Sequence, residues 1–366
     1  MLEAKLRHHR GADAGGSTVP RLSRRGAMLS AGAFGLAASV AGCGVGSRAL
    51  LAADSQPENY PTVEALRFFA RELARLTGGR LNVEVYPSEQ LGSQNDTLEL
   101  AQLGGIDLVR INSAPLNVLI PETLVPSLPF LFRSIPHMRA AMDGDPGRRI
   151  LAALERHGLI GLAFYESGAR SIYTVDRPIR EPADMAGLKI RVQTSDLFVA
   201  MIEAMGGNAT PMAYGEVYQG MVQGVIDGAE NNFPSYESSR HYEVAPVFSL
   251  TRHVMAPEIL AMSKRSWDRL SQAGREAVRT AAQASVPFMR EIWDRQVIEA
   301  RRIVTEAGVT IVEDVDRAAF SDLMVPVWSD FADTPDLRRL VEDIRGMQAN
   351  PDQANPDQAN PEEADA

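Results

Sequence analysis

Residues 187–236 read GLKIRVQTSDLFVAMIEAMGGNATPMAYGEVYQGMVQGVIDGAENNFPSY. Apolar alternation predicts a strand at 189–192 and another at 225–228, with two helical segments and a proline-containing turn between them. Arg191 lies near the end of the first strand, and Asn231 follows the second. An arginine and an amide at the ends of neighbouring strands predict a site for a small anion. These residues alone leave open the alternative of an ordinary α/β surface.

The composition indicates two globular lobes with an acidic surface. The chain has 366 residues, of which 45% are hydrophobic, and this is enough for a buried core in two lobes of ordinary size. The formal net charge is −10, with +4 in the first 42 residues, −5 in the tail from Ala349, and −9 in the body between them. Because nucleic acids need clusters of lysine and arginine, no nucleic-acid partner is expected.

Residues 1–43 are predicted to be an export signal that does not belong to the fold. Arg24 and Arg25 precede an apolar run at 27–42 that is too weakly hydrophobic for a transmembrane helix. The twin-arginine (Tat) and the general (Sec) export routes both fit this pattern. Cys43 is the sole cysteine, so no internal disulfide can form. Its Val-Ala-Gly-Cys setting resembles a lipobox and predicts a lipid-anchored periplasmic protein, whereas a chance cysteine in the leader would give an unanchored one.

Residues 347–366 are predicted to be a disordered acidic tail. The unit Ala-Asn-Pro-Asp-Gln at 349–353 occurs again at 354–358 and, in altered form, at 359–363. Proline in every unit, acidic side chains and little apolar content leave too little surface to bury. The tail is therefore not expected to be part of the fold.

The opening of the body alternates helices with strands, which is typical of a parallel sheet. The patterns predict a helix, a strand, a helix and a strand at 61–77, 81–86, 98–103 and 106–111, in that order. In the first helix, the apolar side chains share one face, which consists of Leu66, Phe69, Leu73 and Leu76. This face predicts where the helix packs on the core.

The rest of the body continues the alternation and ends in long helices. The predicted elements are a helix at 135–156, strands at 159–165 and 171–175, a long helix at 272–307 kinked at Pro287, and a last helix at 317–331. We expect one lobe at about 44–175, a second at about 176–265, and C-terminal helices at 266–346 packing on both, with more than one crossing between the lobes. The predicted fold class is α/β, with two lobes around a central cleft and mixed sheets flanked by helices.

Three kinds of enzyme motif are missing from the sequence. There is no Gly-x-Ser-x-Gly elbow and no glycine loop with nucleotide-binding spacing. The six histidines show no spacing typical of a metal site, so neither a metal nor a cofactor is expected. The many acidic residues leave a paired-carboxylate hydrolase or lyase open, although no particular pair stands out. We therefore do not expect an enzyme.

Six short motifs, taken in order, resemble the solute receptors of tripartite ATP-independent periplasmic (TRAP) transporters. They fall within residues 50–331 and read Tyr86-Pro87-x-x-Gln90-Leu91-Gly92, Leu128-Pro129-Phe130-Leu131-Phe132, Tyr165-x-x-Gly168-x-Arg170, Asp184-Met185-x-Gly187-Leu188-Lys189-Ile190-Arg191-Val192, Thr210-Pro211-Met212-Ala213-Tyr214-x-Glu216-Val217-Tyr218 and Asp227-Gly228-Ala229-Glu230-Asn231. The resemblance implies a periplasmic-binding-protein fold whose first strand lies at 49–53. It also implies a membrane permease as partner, and a monomer is the default expectation. A sensory receptor that presents its ligand to a histidine kinase is the alternative.

The resemblance assigns the ligand carboxylate to three positions. In that family the carboxylate pairs with the arginine at the position of Arg191, and a planar guanidinium suits this role because it makes two parallel hydrogen bonds. Arg170 matches a second arginine near the ligand. Asn231 matches an amide that reaches the carboxylate.

The resemblance assigns the rest of the ligand to three further positions. Tyr214 stands where the family has an aromatic side chain against the ligand. Gln94 and Asn112 match variable positions that contact the part of the ligand beyond its carboxylate. These six positions are the predicted ligand-binding set.

The segments Ser167-Gly168-Ala169-Arg170-Ser171 and His241-Tyr242-Glu243-Val244 are similar to those of receptors for hexuronates, such as glucuronate and galacturonate. A sugar acid is therefore the expected ligand. Gln56 departs from this subset, which tends to have histidine at that position. A C4-dicarboxylate or another organic acid is thus the alternative ligand, and an exported uronate-processing enzyme is a less favoured alternative function.

Overall fold

The computed structural model describes residues 49–349 and contains two β-sheets flanked by helices. The strands are β1 (Leu50–Ala53), β2 (Val83–Tyr86), β3 (Leu108–Asn112), β4 (Leu159–Tyr165), β5 (Arg170–Thr174), β6 (Lys189–Val192), β7 (Asn208–Pro211), β8 (Gly228–Asn231), β9 (Val247–Val254), β10 (Glu258–Ser263) and β11 (Thr310–Val312). The helices are α1 (Pro61–Thr77), α2 (Gln94–Leu103), α3 (Ser113–Leu116), α4 (Leu124–Ser127), α5 (Ile135–Asp143), α6 (Asp145–Ala153), α7 (Asp196–Ala204), α8 (Val217–Val222), α9 (Phe233–Ser238), α10 (Lys264–Arg269), α11 (Gln272–Glu306), α12 (Arg317–Asp322), α13 (Met324–Phe331) and α14 (Pro335–Gly346). Among these helices, none combines the length and the apolar character needed to cross a membrane.

The two sheets form the cores of two lobes, which confirms the predicted α/β class with mixed sheets. The first sheet has the order β2-β1-β3-β10-β4, and β10 runs antiparallel to both of its neighbours. The second sheet has the order β11-β9-β5-β8-β6-β7 and also mixes parallel and antiparallel pairs. The strand expected at 49–53 is β1, which pairs with β2 and β3 in the first sheet. The predicted export signal at 1–43, with Cys43, and the tail beyond Ala349 lie outside the described residues.

Within residues 49–349, the chain crosses between the sheets three times. It passes from the first sheet to the second between β4 and β5, returns between β9 and β10, and reaches the second sheet again at β11. β5 pairs with β8 and β9, and β10 pairs with β3 and β4. These pairings put β5 in the second sheet and β10 in the first, opposite to the expected limits of 44–175 and 176–265. Each lobe is therefore discontinuous in sequence.

Helix α1 packs against α11 through the face that its apolar spacing predicts. Leu66, Phe69 and Leu73 are buried in one cluster with Trp293 of α11. Leu76, at the edge of this face, is 36% exposed. The long helix thereby joins the core of the first lobe, and α11 also contacts α9 of the second lobe.

Two predicted helices are divided in the structure. The helix predicted at 135–156 breaks at Gly144, whose backbone is extended, and α6 begins with Pro146 in its first turn. Proline favours such a start because the first N–H groups of a helix have no intrahelical acceptor. The helix predicted at 317–331 divides into α12 and α13 at Leu323, and α14 follows. In contrast, α11 continues through Pro287 as one helix of 35 residues.

The second strand of the stretch 187–236 lies three residues later than predicted. It is β8, and the prediction of a strand at 225–228 is wrong: Val225 is 47% exposed. The first residue of β8 is a glycine that lies against β5, where a Cβ atom would come within 2.3 Å of Tyr173 O. A residue with a Cβ atom could not take this position in the pairing with β5. Asn231 is therefore the last residue of β8, paired with Ser171 of β5.

Gly168 lies at the first crossing between the sheets, and any side chain at this position is expected to destabilise the fold. Its φ is +55°, and a Cβ atom would lie 3.1 Å from Cζ2 of the buried Trp293. A left-handed backbone costs a residue with a Cβ atom about 1–2 kcal/mol, and the rigid indole adds a steric cost. We expect Gly168→Ala to lower the free energy of unfolding, measured in urea, by more than Gly187→Ala does. Gly187 is a matched control because its φ is +80° and no atom lies within 4 Å of its Cβ position. Equal losses for the two variants would contradict the role of the indole.

Candidate functional site

A small cavity between the two lobes is lined by polar side chains of both lobes. The first lobe contributes Gln56, Gln94, Arg110, Asn112 and Glu258, and the second contributes Arg170, Arg191, Gln193, Tyr214, Asn231 and Ser235. The structure thus brings the six predicted ligand-binding positions together around one space. Their part in binding stays a prediction.

Arg191, in β6, presents a buried cation to this cavity. The residue is 3% exposed, and its Nε and Nη2 atoms donate to Met212 O at 2.9 and 2.7 Å. Within residues 49–349 it forms no salt bridge with a carboxylate. Burial lowers the pKa of Arg191, and the nearby Glu230 and Tyr173 offset this only in part. The guanidinium therefore carries a charge that no internal acid neutralises directly.

The other buried arginines of the described chain each have internal carboxylate partners. The pairs are Arg110 with Glu258 (2.7 Å) and Asp54, Arg139 with Glu166 (2.5 Å) and Asp294 (2.5 Å), and Arg170 with Glu230 (2.5 Å). Burial alone would lower the pKa of each of these guanidinium groups, but their partners raise it. Arg191 is thus set apart among the buried arginines of residues 49–349.

Asn231 offers an amide donor beside Arg191. In the parallel pairing of β6 with β8, Arg191 lies opposite Ala229, two residues before Asn231. Asn231 Oδ1 accepts hydrogen bonds from Arg170 Nη1 at 2.8 Å and from Asn232 N at 2.9 Å. Its Nδ2 group forms no hydrogen bond with the described residues. The amide is held by its oxygen, so its N–H groups are left for the cavity.

Arg170 lines the cavity but is fully engaged within the protein. Its Nε and Nη2 atoms donate to the two oxygens of the Glu230 carboxylate at 2.5 and 2.7 Å, and Nη1 donates to Asn231. Every guanidinium nitrogen therefore has a partner already. In this conformation Arg170 orients Asn231, and a direct contact with a ligand stays a prediction.

Tyr214 forms a fixed aromatic wall of the cavity. Its hydroxyl donates to Ser235 O at 3.2 Å and hydrogen-bonds to Ser239 Oγ. Burial raises the pKa of Tyr214, so the phenol stays neutral. The ring also makes an edge contact with His241, with ring centroids 6.0 Å apart. These contacts hold the ring in place on the cavity wall.

Gln94 and Asn112 form a bonded pair on the first-lobe wall. Asn112 N donates to Gln94 Oε1 at 2.9 Å, and Asn112 Nδ2 donates to Glu258 Oε1 at 3.1 Å. Gln193, which follows β6 in the second lobe, donates through Nε2 to Asn112 Oδ1 at 3.1 Å. The amide of Asn112 is therefore saturated, whereas Gln94 Nε2 forms no hydrogen bond within residues 49–349.

Five lining residues were not among the predicted positions, namely Gln56, Arg110, Gln193, Ser235 and Glu258. Arg110 could have been found, because it lies two residues before Asn112 in a predicted strand and side chains alternate between strand faces. Glu258 could not, since it reaches the cavity only through the antiparallel pairing that places it opposite Asn112. Long-range pairing of this kind leaves no local signal.

Comparison with known proteins identifies the family. Residues 52–334 match the family described as bacterial extracellular solute-binding protein, family 7 (DctP). A solute-binding protein of Chromohalobacter salexigens is 46% identical over 294 residues, which are 80% of this chain and 88% of that protein. The similarity thus extends over nearly the whole described body.

Solved structures share the fold over a similar extent. A TRAP periplasmic solute-binding protein of Bradyrhizobium sp. BTAi1, in complex with α/β-D-galacturonate, is 51% identical with a TM-score of 0.80, covering 81% of this chain and 99% of its own. One from Chromohalobacter salexigens DSM 3043, with bound D-glucuronate, is 45% identical with a TM-score of 0.80, covering 82% of this chain and 100% of its own. From the family match and these relatives, the chain belongs to family 7 of the bacterial extracellular solute-binding proteins, the DctP family of TRAP receptors.

Proposed function

We propose that this receptor captures a hexuronate of the glucuronate or galacturonate type for a TRAP transporter. The observation that carries the proposal is Arg191, a buried guanidinium without an internal acid, next to the free amide N–H groups of Asn231. The two similar structures hold galacturonate and glucuronate. A sugar acid supplies the carboxylate for Arg191 and hydroxyl groups for the other polar side chains.

The carboxylate would complete the hydrogen bonding of Arg191. Nε and one hydrogen of Nη2 are directed to Met212 O, so Nη1 and the second hydrogen of Nη2 remain for two parallel bonds. Asn231 Nδ2 can donate a third. Charge-assisted bonds of this kind are strong where water is excluded, and lysine could not reproduce their planar geometry.

The charges around the cavity favour one carboxylate over two. Arg110 and Arg170 also line the space, but Glu258 and Glu230 already neutralise them. A C4-dicarboxylate would bring a second negative charge to a wall that has no second unpaired arginine among the described residues. A hexuronate is therefore the favoured ligand, and a C4-dicarboxylate is the less favoured alternative.

A ligand in this cavity would contact both lobes and thereby favour the closed arrangement. Hydrogen bonds already join the lobes beside the cavity, among them Tyr60 OH with Ser235 Oγ at 2.8 Å and Gln193 Nε2 with Asn112 Oδ1 at 3.1 Å. A molecule that binds the closed form better shifts the population toward it. The receptor would release its ligand to the permease when the lobes open.

Delivery to the permease, export and membrane tethering complete the proposed function. The protein would act as a monomer, perform no chemistry on the sugar, and hand it to the membrane permease. Residues 1–43 would direct export to the periplasm through the Tat or the Sec route, and lipidation of Cys43 would tether the receptor. These segments lie outside the described residues, and the sequence pattern alone supports their roles.

Thermal-shift and titration experiments test the proposed ligand. We expect D-glucuronate or D-galacturonate to raise the melting temperature, because a ligand at 100 times its dissociation constant adds about 2.7 kcal/mol to the stability. Isothermal titration should give one site per chain, and chromatography should recover the sugar unchanged. Succinate serves as the control and should give no shift. Turnover of the sugar would contradict a receptor, and stabilisation by succinate alone would contradict the hexuronate.

A further inference from the structure

Two buried polar atoms on the first-lobe wall of the cavity have no hydrogen-bond partner within residues 49–349. They are Gln56 Oε1, an acceptor, and Arg110 Nε, a donor. Both residues line the same cavity as Arg191, and they are 7% and 2% exposed. Buried polar atoms are almost always bonded, since an unpaired one carries its full desolvation penalty. A ligand that bonds to them would remove this penalty.

Asp54 links the backbone of Gln56 to the side chain of Arg110. Its Oδ1 atom accepts a hydrogen bond from Gln56 N at 2.8 Å and another from Arg110 Nη2. Arg110 Nη2 also donates to Ser55 Oγ at 3.0 Å, and Gln56 O accepts from Ser88 N at 2.7 Å. The backbone of Gln56 is thus fixed from both sides. Its side-chain amide is presented to the cavity from a rigid support.

We propose that Gln56 and Arg110 together recognise one hydroxyl group of the sugar acid, which makes Gln56 a specificity-determining residue. A hydroxyl can donate to Gln56 Oε1 and accept from Arg110 Nε at the same time. A carboxylate can only accept, and Asp54 and Glu258 beside Arg110 would repel it. This wall therefore selects a hydroxyl over a second acid group. The inference rests on the proposed hexuronate function.

The test uses Gln56→Met, which removes the acceptor and keeps the length of the side chain. Isothermal titration measures affinity for D-glucuronate and D-galacturonate, which differ in the orientation of one ring hydroxyl. We expect the affinity for the better-bound uronate to fall about tenfold or more. The melting temperature of the ligand-free protein should not fall, because an unpaired acceptor has been removed. An unequal loss for the two sugars assigns the contact to the hydroxyl in which they differ, and an equal loss assigns it to a shared hydroxyl.

A second substitution of Gln56 and a control variant complete the test. Gln56→Ala repeats the test without the bulk of methionine, in case that side chain does not fit. Gln102→Met is the matched control, since Gln102 Nε2 donates to His157 O at 2.8 Å, outside the cavity, and its loss should leave uronate binding unchanged. Wild-type affinity in both Gln56 variants would overturn the inference, as would a loss of affinity that is matched by a loss of ligand-free stability. Failure of the wild-type protein to bind any uronate would overturn the proposed function instead.

Discussion

Replacing Arg191 with alanine is expected to weaken hexuronate binding by about 30-fold or more. Truncating one partner of a buried, hydrogen-bonded charge pair costs about 2–5 kcal/mol, much of it because the other charge is left without a partner. In the variant, the ligand carboxylate would enter a buried site that has lost this guanidinium and keeps Asn231 Nδ2 as a donor. Isothermal titration of the variant with the uronate that binds the wild-type protein measures the loss.

The same variant is expected to keep the stability of the ligand-free fold. Arg191 forms no internal ion pair within residues 49–349, and burial lowers its pKa, so its charged form is less favourable in the fold than in water. Alanine removes this cost together with the two hydrogen bonds to Met212 O. Because the two changes oppose each other, we expect a melting temperature close to that of the wild-type protein.

Two comparison variants sharpen the result. Arg191→Lys keeps the charge but not the planar pair of donors, so its affinity should lie between those of wild type and Arg191→Ala. Arg275→Ala is the matched control, because Arg275, like Arg191, makes two hydrogen bonds to backbone carbonyl oxygens, in this case Trp267 O and Asp268 O at 3.1 Å each. Arg275 lies outside the cavity, so the Arg275→Ala variant should bind the uronate with wild-type affinity. Unchanged affinity in Arg191→Ala would refute the carboxylate assignment, and a large loss of its stability would refute the unpaired state.

The second-lobe half of the site could be predicted because its residues are close in sequence. Arg191 and Asn231 lie on β6 and β8, which are parallel neighbours within the stretch 187–236. Strand patterns and strand ends therefore locate both side chains. The register of β8 could not be predicted, since β8 pairs with β5, which lies in another part of the chain, and its first glycine approaches Tyr173 O closely there. Such a contact has no periodicity in the sequence.

The first-lobe half depends on pairing between distant segments, and the sequence says little about it. Glu258 bonds to Asn112 across 146 residues of chain because β10 returns to the first sheet. The same limit applies to Arg170. Its sequence motif predicts an arginine near the ligand. Only the fold shows that Arg170 forms an ion pair with Glu230, which neutralises its charge. Charge pairing inside a core is a property of the packed structure.

Replacing Arg170 with alanine is expected to lower the free energy of unfolding by about 3–5 kcal/mol, because it leaves a buried acid without its cation. Glu230 has no exposed surface, and burial alone would raise the pKa of its carboxyl group. Arg170, together with His253, lowers that pKa to about 2. His253 Nε2 lies 3.6 Å from Glu230 Oε2, and burial lowers the pKa of His253. His253 is thus neutral at pH 7 in the wild-type protein, where Arg170 is the cation that pairs with Glu230.

The direction of the Glu230 shift determines how this loss depends on pH. In the wild-type protein the folded-state pKa of about 2 lies below the ordinary value of 4.5. The pair therefore stabilises the fold fully above about pH 4.5, and this contribution declines as the pH falls toward 2. In Arg170→Ala the pKa of Glu230 is expected to rise above its ordinary value, so acid favours the fold of the variant at this site. The difference in unfolding free energy between wild type and variant should then be largest at neutral pH and shrink in acid.

Urea denaturation of the ligand-free proteins at about pH 7 and about pH 4 measures this difference, and a second substitution identifies its cause. Adding Glu230→Gln to Arg170→Ala removes the unpaired carboxylate. The double variant should therefore recover stability at pH 7 and lose most of the pH dependence at this site. A difference that stays constant with pH, or a double variant no more stable than the single one, would contradict the assignment. Arg191→Ala removes the same charge from the same cavity without leaving an acid unpaired. If the stability loss came from the missing cation alone, both single variants would show it; if it comes from Glu230, only Arg170→Ala will.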